Sequence, residues 1–294
     1  MNESIIITGA DGFLGGKIIK YIIDNTDFDV TGLTISLDMP EKMLKRESLE
    51  SNERVKFITN QEFFDPSTII SNVYGAVHLA FSRRMQPAKD IASSISFAAT
   101  MFHKFKDLNI KRVINMSSQG VYGNTDAFRT ENTPPAPATQ YTMAKYAAEV
   151  LFEDIMNGCD QHTSFRLDPV AQSQNVLQRL CRSAREGIIR LQGGKQVFSF
   201  IDANDVPGAV FAMLKTDGPW DTVYNVGWNR KRITLVELAG LVAEAAACAG
   251  FNRPLIELEE DDTALWAGMD STKFMEKTGW NPSIKLSDTI SSMF

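Results

Sequence analysis

Cysteine and histidine are scarce in this chain of 294 residues, which contains three of each. Cys159, Cys181 and Cys248 lie far apart and form no CxxC pair, so they provide neither a disulfide framework nor the ligand spacing of a zinc site. His78 falls in an apolar segment, where we expect a packing role and not a ligand role. We therefore predict no metal site and a reducing compartment, which indicates the cytoplasm.

Long hydrophobic runs and an excess of positive charge are also missing. Residues 4–8 form an apolar stretch that is too short for a signal peptide, and no segment reaches the roughly 20 apolar residues of a membrane-spanning helix. Thirty Lys and Arg residues stand against 36 Asp and Glu residues, a net charge of −6, which disfavours a nucleic-acid partner. We expect a cytoplasmic protein that acts on a small molecule, with neither a membrane nor a nucleic acid as partner.

Apolar runs alternate with helical patterns through the first half of the chain. Strands are predicted at residues 4–7, 29–35, 55–58, 75–80, 112–116, 163–167 and 222–226, and helices at residues 15–24, 88–108, 141–157, 175–187, 206–215 and 234–249. Such alternation predicts an α/β fold, a doubly wound parallel sheet that helices cover on both faces. The pattern loosens after Leu167.

Three glycines, Gly9, Gly12 and Gly15, join the first predicted strand to the first predicted helix. A diphosphate can approach the backbone closely where no Cβ intervenes. The N–H groups and the positive dipole end of the following helix then attract the anion. Glycine-rich turns between strands and helices also serve packing alone, so the loop by itself is a weak signal. Its position directly after an apolar strand favours a dinucleotide site.

The end of the second predicted strand leaves the identity of the dinucleotide open. NAD-binding folds of this type usually place an acidic residue there, about 20 residues after the glycine loop, to bind the adenosine ribose. This chain has Thr34 and Ser36 in that region, and the first acid is Asp38. Either hydroxyl could accept a hydrogen bond from a ribose or donate one to a phosphate, so NAD and NADP are both candidate cofactors.

Tyr141 and Lys145 lie four residues apart in a predicted helix, which puts them on one face, one turn apart. A free tyrosine is a poor base at neutral pH because its pKa is about 10, but a nearby ammonium stabilises the phenolate. Tyr141 could then take a proton from a carbinol as hydride leaves for a nicotinamide. Ser118, at the carboxyl end of the fifth predicted strand, would hold the substrate oxygen. A chance occurrence of YxxxK is the alternative for the pair taken alone.

These motifs and several later ones resemble those of the extended short-chain dehydrogenases/reductases, also called the NAD-dependent epimerase/dehydratase family. The matching segments span essentially the whole chain: TGADGFLG at residues 8–15, HLA at 78–80, SSQGVYG at 117–123, YTMAK at 141–145, FIDANDV at 200–206, YNVG at 224–227 and KTGWNP at 277–282. The resemblance implies a Rossmann-type NAD(P)-binding domain over residues 1–167 and a smaller substrate-binding lobe over residues 168–294. Residues 198–227 are expected to return in part to the Rossmann domain.

The resemblance also implies roles for individual residues. Ser118, Tyr141 and Lys145 are the expected catalytic residues. The expected cofactor-binding residues lie in two loops, at the end of the second strand and in the catalytic helix: Gly9, Asp11, Gly12, Phe13, Leu14, Gly15, Thr34, Ser36, Leu79, Ala80, Tyr141 and Lys145. A homodimer formed through the helices at residues 88–108 and 141–157 is expected too. An apolar stripe supports it, although core packing would equally explain the stripe: Phe97, Met101 and Phe105.

Several positions depart from the pattern of the sugar-nucleotide members. Pro169 stands where those members usually carry the asparagine of an RxxN motif, and Phe198 stands where an arginine usually grips the diphosphate. Phe81 takes a position where a small residue is usual beside the cofactor. Gln119 and Gly120 replace an Asp-Glu pair of the dehydrating members, which disfavours dehydratase chemistry.

We therefore expect an NAD(P)-dependent oxidoreductase or epimerase that transfers hydride at a carbinol or carbonyl carbon, on a sugar or sugar nucleotide. A reductase of a non-sugar carbonyl compound is the alternative. A non-catalytic NAD(P)-binding regulator is a hypothesis of another class, but such relatives usually lose the Tyr or the Lys. Arg83 and Arg84 could reach an anionic substrate, although a solvated pair is the simpler interpretation. Asp202 and Asp205 are expected to cap a helix.

Overall fold

The computed structural model describes residues 2–50, 52–82 and 86–294, so Arg83 and Arg84 lie outside the described residues. The strands of the described chain are β1 Ser4–Thr8, β2 Asp29–Thr34, β3 Val55–Thr59, β4 Val73–His78, β5 Arg112–Ser118, β6 Gln161–Leu167, β7 Ile188–Gln192, β8 Val197–Phe198, β9 Val223–Val226, β10 Ile233–Thr234 and β11 Leu255–Glu259. Its helices are α1 Phe13–Asn25, α2 Glu41–Glu47, α3 Asn60–Phe64, α4 Ala88–Asp107, α5 Gln140–Met156, α6 Asn175–Arg185, α7 Val206–Leu214, α8 Leu235–Cys248, α9 Thr272–Thr278 and α10 Leu286–Ser291.

Seven strands form one sheet in the order β3-β2-β1-β4-β5-β6-β9. β1 pairs in parallel with β2 and with β4, β2 with β3, and β4 with β5. Successive strands are added to one side of β1 as far as β3 and to its other side from β4 onward. Doubly wound sheets bind ligands at the carboxyl ends of the strands where the order reverses in this way. The predicted doubly wound parallel sheet is confirmed.

The strands form where the sequence has short apolar runs. Ile5, Ile6 and Ile7 of β1 are fully buried, as expected for a strand that is covered on both faces. β2 ends at Thr34 and not at Ile35 as predicted, because Ile35 has left the sheet and is 77% exposed. An apolar side chain alone therefore does not mark the end of this strand.

One face of α4 packs into the core of the sheet. Met101 and Phe105 are fully buried there, in a cluster that includes Ile6 of β1, Val113 of β5 and Phe152 of α5. These two stripe residues, which were offered as support for a dimer surface, are core residues, because the helix turns them toward the sheet. The stripe therefore gives no support for a dimer.

The described chain divides into two compact units. The first unit contains the described residues up to Val121, Pro137–Arg166 and Val206–Tyr224, and the second contains Tyr122–Ala136, Leu167–Asp205 and Asn225–Phe294. Assignment of NAD(P) binding to residues 1–167 and of substrate binding to residues 168–294 stays a prediction. No helix within residues 2–50, 52–82 and 86–294 has the length and hydropathy to cross a bilayer.

The second unit has its own core, built around α6, α8 and α10, in which Leu177, Leu238 and Ile290 are buried. β7 pairs in parallel with β11, and β8 pairs antiparallel with β10. Neither small sheet was predicted, because each joins short segments that are distant in sequence. Helices α2, α3, α9 and α10 were also missed, and each has at most seven residues, too short for a clear helical pattern.

Candidate active site

Two of the three loop glycines are required by the packing of the chain itself. Gly9 has a positive φ of 65°, and a Cβ there would lie 3.0 Å from the backbone nitrogen of Ala80. A Cβ on Gly15 would clash with the carbonyl oxygen of Gly9 and would lie 2.7 Å from that of Ala10. Gly9 therefore allows the turn after β1, and Gly15 allows α1 to begin close to the end of the strand.

Gly12 differs, since its backbone, at φ −72° and ψ 176°, suits any residue. Among the described residues beyond its chain neighbours, an added Cβ would meet only the carbonyl oxygen of Gly9 within 4 Å, at 3.0 Å. α1 begins at Phe13 and has no acidic residue in its first turn, so the N–H groups at this helix end suit an anion. The open backbone at Gly12 and the helix end together fit the diphosphate of a dinucleotide.

Two cationic side chains, which the sequence pattern did not indicate, lie beside this loop. The ring of Phe13 has the ammonium of Lys17 at 5.4 Å and the guanidinium of Arg46 at 5.7 Å from its centroid. Arg46 also donates a hydrogen bond of 3.4 Å to the carbonyl oxygen of Gly12 and pairs with Glu47. Arg46 comes from α2, a helix that was not predicted, so its approach to the loop depends on the tertiary fold.

Thr8, at the end of β1, connects the start of the glycine loop to the residues after β4 through hydrogen bonds. Its hydroxyl oxygen accepts hydrogen bonds of 3.1 Å from the backbone N–H groups of Leu79 and Ala80. The same hydroxyl lies 2.9 Å from Nδ1 of His78, and we assign its proton to that nitrogen because both acceptor sites are in use. Burial lowers the pKa of His78 to about 3, so His78 is a neutral packing residue as predicted.

The end of β2 contains the residues that were predicted to face the ribose. The buried Thr34 hydroxyl donates a 3.0 Å hydrogen bond to the carbonyl oxygen of Ser36. Ser36 in turn donates its hydroxyl hydrogen to Asp38, and this bond lowers the pKa of the exposed Asp38 carboxyl. Both hydroxyl hydrogens therefore have acceptors within the chain, and the charged acceptor at this strand end is Asp38.

The catalytic lysine candidate is enclosed. Helix α5 begins with a capping box between Thr139 and Thr142, which holds its first turn in place. Lys145 is buried, and its Nζ donates a 2.8 Å hydrogen bond to the carbonyl oxygen of Met116 in β5. Burial lowers the pKa of Lys145 to about 7, and the charge of Glu149 opposes that shift.

Phe81 contacts both residues of the predicted pair. The Nζ of Lys145 lies 4.0 Å from the centroid of the Phe81 ring, within the range of a cation–π interaction. The Phe81 and Tyr141 rings meet edge to face, with centroids 6.1 Å apart and planes at 86°. The sequence indicated only that Phe81 is unusually large for its position. In the structure its ring contacts both Tyr141 and Lys145.

Ser118 is the last residue of β5, and its hydroxyl oxygen accepts a 3.1 Å hydrogen bond from the backbone N–H of Gly120. This leaves the hydroxyl hydrogen of Ser118 to donate. A Cβ on Gly120 would lie 2.7 Å from the methyl carbon of Thr142, so the turn after β5 packs tightly on the first turn of α5. The fold thereby brings the predicted residues Ser118 and Tyr141 onto neighbouring elements of the first unit.

A buried ion pair lies one helical turn beyond Lys145. Glu149 accepts hydrogen bonds from two nitrogens of Arg166, at 3.1 Å from Nε and 2.7 Å from Nη2, and one from the hydroxyl of Ser117. The three residues come from α5, β6 and β5, so one carboxylate joins the elements that carry Ser118 and Lys145. The sequence showed Arg166 only as the start of an RxxN-like segment and did not indicate its partner.

The second unit contains a different buried acid, Asp168. Its Oδ2 accepts hydrogen bonds from the Ser199 hydroxyl at 2.8 Å and from the backbone N–H of Trp228 at 3.1 Å. Within the described residues its Oδ1 has no hydrogen-bond partner. Burial raises the pKa of Asp168 to about 7 against the effects of Ser199, the Trp228 N–H and Arg129. Nothing in the sequence marked this residue.

Asp202 and Asp205, which were predicted to cap a helix, join separate segments of the second unit. Asp202 accepts hydrogen bonds from the side chains of Gln172 and Thr289. Asp205 accepts them from the backbone N–H groups of Ser283 and Ile284. Asp202 also accepts a 2.7 Å hydrogen bond from the backbone N–H of Asn204, just before α7. The capping role therefore stays a prediction beside these long-range contacts. Across the described residues no three His, Cys, Asp or Glu side chains cluster to hold a metal ion.

The sequence matches the model of the family described as "NAD dependent epimerase/dehydratase family" over residues 5–227. This match confirms the resemblance drawn from the motifs and the prediction of an enzyme of this family. One relative of the chain is the low-salt glycan biosynthesis protein Agl12 of Haloferax volcanii, which is 24% identical over 97% of this chain and 95% of the relative. Another is dTDP-4-dehydro-6-deoxyglucose reductase of Escherichia coli, 24% identical over 99% and 96% of the two chains.

Solved structures share the fold. A mutant UDP-glucuronic acid 4-epimerase of Bacillus cereus, in complex with UDP-4-deoxy-4-fluoro-glucuronic acid and NAD, superposes with a TM-score of 0.83. It covers 98% of this chain and 96% of its own, at 18% identity. The UDP-N-acetylglucosamine 4-epimerase of the same organism has a TM-score of 0.82 at 18% identity, with 99% and 98% coverage.

Proposed function

Because the chain belongs to the NAD dependent epimerase/dehydratase family, we propose that it is an NAD-dependent oxidoreductase or epimerase that acts on a carbinol carbon of a sugar nucleotide. The observation that carries the proposal is that Ser118, at the end of β5, lies beside the first turn of α5. Tyr141 is in that turn, and Lys145 follows one turn later in the same helix. Relatives with a sugar-nucleotide name, such as dTDP-4-dehydro-6-deoxyglucose reductase, support the substrate class.

In this proposal each of the three residues has one task. Tyr141 takes the proton of the substrate hydroxyl during oxidation and returns a proton during reduction. The Lys145 ammonium stabilises the phenolate that Tyr141 forms. Ser118 donates its hydroxyl hydrogen to the substrate oxygen and keeps it in line with Tyr141. A bound NAD would accept the hydride from the same carbon and supply it again for reduction.

The residues that would hold the cofactor lie in the first unit. Gly12 and the N-terminus of α1 would bind the diphosphate, with Asp11, Phe13 and Leu14 around it. The hydroxyl oxygens of Thr34 and Ser36, at the end of β2, would accept hydrogen bonds from the adenosine ribose. Leu79 and Ala80 would line the cofactor beside the loop.

A second candidate, reduction of a non-sugar carbonyl compound, rests on two positions in the second unit. Pro169 has no side-chain hydrogen-bonding group, and Phe198 stacks on Phe200 with ring centroids 5.9 Å apart. Neither can grip a diphosphate as an asparagine and an arginine would. A panel of nucleotide sugars and simple ketones, with products separated by chromatography, distinguishes the two candidates.

Replacement of Tyr141 by Phe tests the chemistry directly. We expect turnover of the substrate found in the panel to fall about 10²–10⁴-fold, with folding and NAD affinity retained because only a hydroxyl is removed. Tyr146→Phe, on the same helix, is the matched control and should keep its rate. Lys145→Met should lose both rate and cofactor affinity, and Ser118→Ala should lose less than Tyr141→Phe. Turnover by Tyr141→Phe within a few-fold of the parent enzyme would exclude this mechanism.

Replacement of Gly12 by Ala tests the cofactor loop. The φ and ψ of Gly12 suit alanine, but the added Cβ would lie 3.0 Å from the carbonyl oxygen of Gly9, so we expect a small loss of stability. The methyl group would also lie beside the space assigned to the diphosphate. We expect NAD and NADP affinity to fall tenfold or more, on the order of 1.4 kcal/mol, in calorimetric titration. Gly240→Ala, in α8 with open space around it, should bind as the parent does. Unchanged affinity in Gly12→Ala would remove this loop from the site.

The same titration tests the choice between the cofactors. With Thr34 in place of an acid, we expect NADP to bind at least comparably to NAD. A thousandfold preference for NAD would assign the selection to Asp38, and Asp38→Ala should then reduce that preference.

We also propose a cytoplasmic homodimer. The scarcity of cysteine supports the compartment. On α5, Met143 and Val150 are about half exposed, at 53% and 50%, and such apolar groups suit a helix-to-helix interface. A monomeric mass at micromolar concentration by light scattering would count against the dimer.

A further inference from the structure

Phe81 lies between two anchored residues in the segment that follows β4. The backbone N–H of Ala80 donates to the Thr8 hydroxyl at 3.1 Å. On the other side, the backbone N–H of Ser82 donates to the Ser94 hydroxyl at 3.0 Å, and the Ser82 hydroxyl donates to the carbonyl oxygen of Asp90 at 2.9 Å. The backbone of Phe81 is therefore tied both to β1 and to α4, and this fixes the point from which its ring extends.

The ring of Phe81 meets the two side chains that the proposed reaction needs. One face covers the ammonium of Lys145, 4.0 Å from the ring centroid, while the hydrogen bond to Met116 holds that ammonium from β5. The Phe81 ring also meets the Tyr141 ring edge to face. An aliphatic side chain of similar size would fill the space but would present no negative π face to the cation.

We propose that Phe81 is a positioning residue for the acid–base pair, which holds the Lys145 ammonium in its charged form beside Tyr141. The proposal rests on the proposed function, because it gives Phe81 a role in the chemistry assigned to Tyr141 and Lys145. It does not make Phe81 a catalytic residue, since the ring exchanges no proton.

Several charged or polar groups lie around Lys145. Glu149 and Tyr141 lie on its own helix, Met116 contributes a carbonyl oxygen from β5, and Arg166 of β6 is paired with Glu149. His78 of β4 is neutral, because burial lowers its pKa to about 3. Burial favours the neutral amine of Lys145, whose pKa is lowered to about 7. The π face of Phe81, the Met116 oxygen and the Glu149 charge act in the opposite direction.

Phe81→Leu is the informative variant, because leucine keeps Lys145 enclosed and removes only the π face. We expect the titration midpoint of Lys145, followed through the ¹³Cε signal of labelled lysine and assigned with Lys145→Met, to fall by about one pH unit. At pH 7 the charged fraction of Lys145 would drop roughly fivefold. The kcat should fall by a similar factor, while KM stays unchanged.

Two further variants separate this role from ordinary packing. Phe81→Tyr keeps the aromatic face and should retain the midpoint and the kcat of the parent. Phe97→Leu changes another half-buried phenylalanine, which packs on His78 with ring centroids 6.2 Å apart. This control should leave the Lys145 midpoint unmoved, whatever its stability. Phe81→Met takes the place of Phe81→Leu if the latter does not fold.

The titration needs no substrate, so it is independent of whether the proposed function is right. An unmoved or raised Lys145 midpoint in Phe81→Leu would overturn the positioning role of Phe81. A lowered midpoint without any turnover in the panel would support the role of the ring on Lys145 and would count against the proposed reaction.

Discussion

Each unit of the molecule buries a carboxylate, and the two are held in different ways. Glu149 in the first unit is 5% exposed and Asp168 in the second is 2% exposed. Glu149 faces a guanidinium that donates from two nitrogens, whereas Asp168 receives hydrogen bonds from two neutral groups. Asp168, with neutral donors, has its pKa raised to about 7 by burial. The two carboxylates therefore differ in the charge of the groups that donate hydrogen bonds to them.

The two buried carboxylates also differ in what their charge does. The charge of Glu149 supports the ammonium of Lys145 one turn away on α5, and its hydrogen bonds join three elements around the candidate site. Asp168 can gain or lose its proton near neutral pH, so its effect on the second unit depends on pH. Variants that remove a partner or a charge in each unit test this contrast.

The largest effect is expected when Glu149 loses its charge and Arg166 keeps it. Glu149→Leu leaves a guanidinium buried without a counter-ion, which should lower the free energy of unfolding by about 3–5 kcal/mol. The double variant Glu149→Leu/Arg166→Met removes both charges and should recover most of the loss. Urea unfolding of the parent, of the single variants Glu149→Leu and Arg166→Met, and of the double variant measures both quantities. A loss under about 1 kcal/mol, typical of an exposed pair, would show that Arg166 reaches water.

An intermediate effect is expected for Asp168→Asn, and it should depend on pH. The folded-state pKa of Asp168, about 7, lies above the ordinary value of 3.8, so the folded protein binds this proton more tightly than the unfolded chain. The stabilisation is complete at low pH and is lost as pH rises from about 4 to 7, by up to about 1.4 kcal/mol per pH unit.

The asparagine variant lacks this titration. Its free energy of unfolding, relative to the parent, should therefore rise between pH 4 and pH 7, by roughly 2–4 kcal/mol in total. A parent and an Asp168→Asn variant with parallel pH profiles would contradict the raised pKa.

The smallest effects are expected from two matched serine substitutions, each of which removes one hydroxyl donor from a buried carboxylate. Ser199→Ala leaves the Asp168 carboxylate with one donor, so at pH 8 it should cost about 1–3 kcal/mol and at pH 5 much less. Ser117→Ala leaves Glu149 with Arg166, so it should cost about 1 kcal/mol. Chemical unfolding at pH 5 and pH 8 measures both variants. A cost of Ser199→Ala that is the same at the two pH values would contradict the raised pKa of Asp168.

The sheet could be predicted in advance because its information is local. The run at Ile5–Ile7 and the similar runs in the next strands are contiguous, and the helices between them are long enough to show a period. The pairing of β7 with β11 brings Ile188 beside Leu255, and no local pattern indicates such a pairing. The strand end at Thr34 was also misjudged by one residue, since exposure of Ile35 depends on where the neighbouring strands stop.

The candidate site divides in the same way. Ser118, Tyr141 and Lys145 could be proposed as candidates because one turn of a helix and one strand end set their spacing, and their roles stay a prediction. The ring of Phe81 over Lys145 was not predicted, although Phe81 itself was noted as unusual. The fastening of β4 to β1 by Thr8 and the salt bridge between Glu149 and Arg166 were also missed, because each joins residues on different elements.

By itself the sequence determined the family and the doubly wound sheet, and it indicated the residues of a candidate dinucleotide loop and a candidate acid–base pair. All of these follow from short-range spacing and hydrophobic period. The tertiary structure decided the burial, the charge and the contacts of those residues. It enclosed Lys145, set its pKa near 7 through burial and the charge of Glu149, and placed the ring of Phe81 on its ammonium. It also gave the Asp168 carboxylate two neutral hydrogen-bond donors. The physical reason is that burial and electrostatic partners arise only when residues far apart in the chain are packed together.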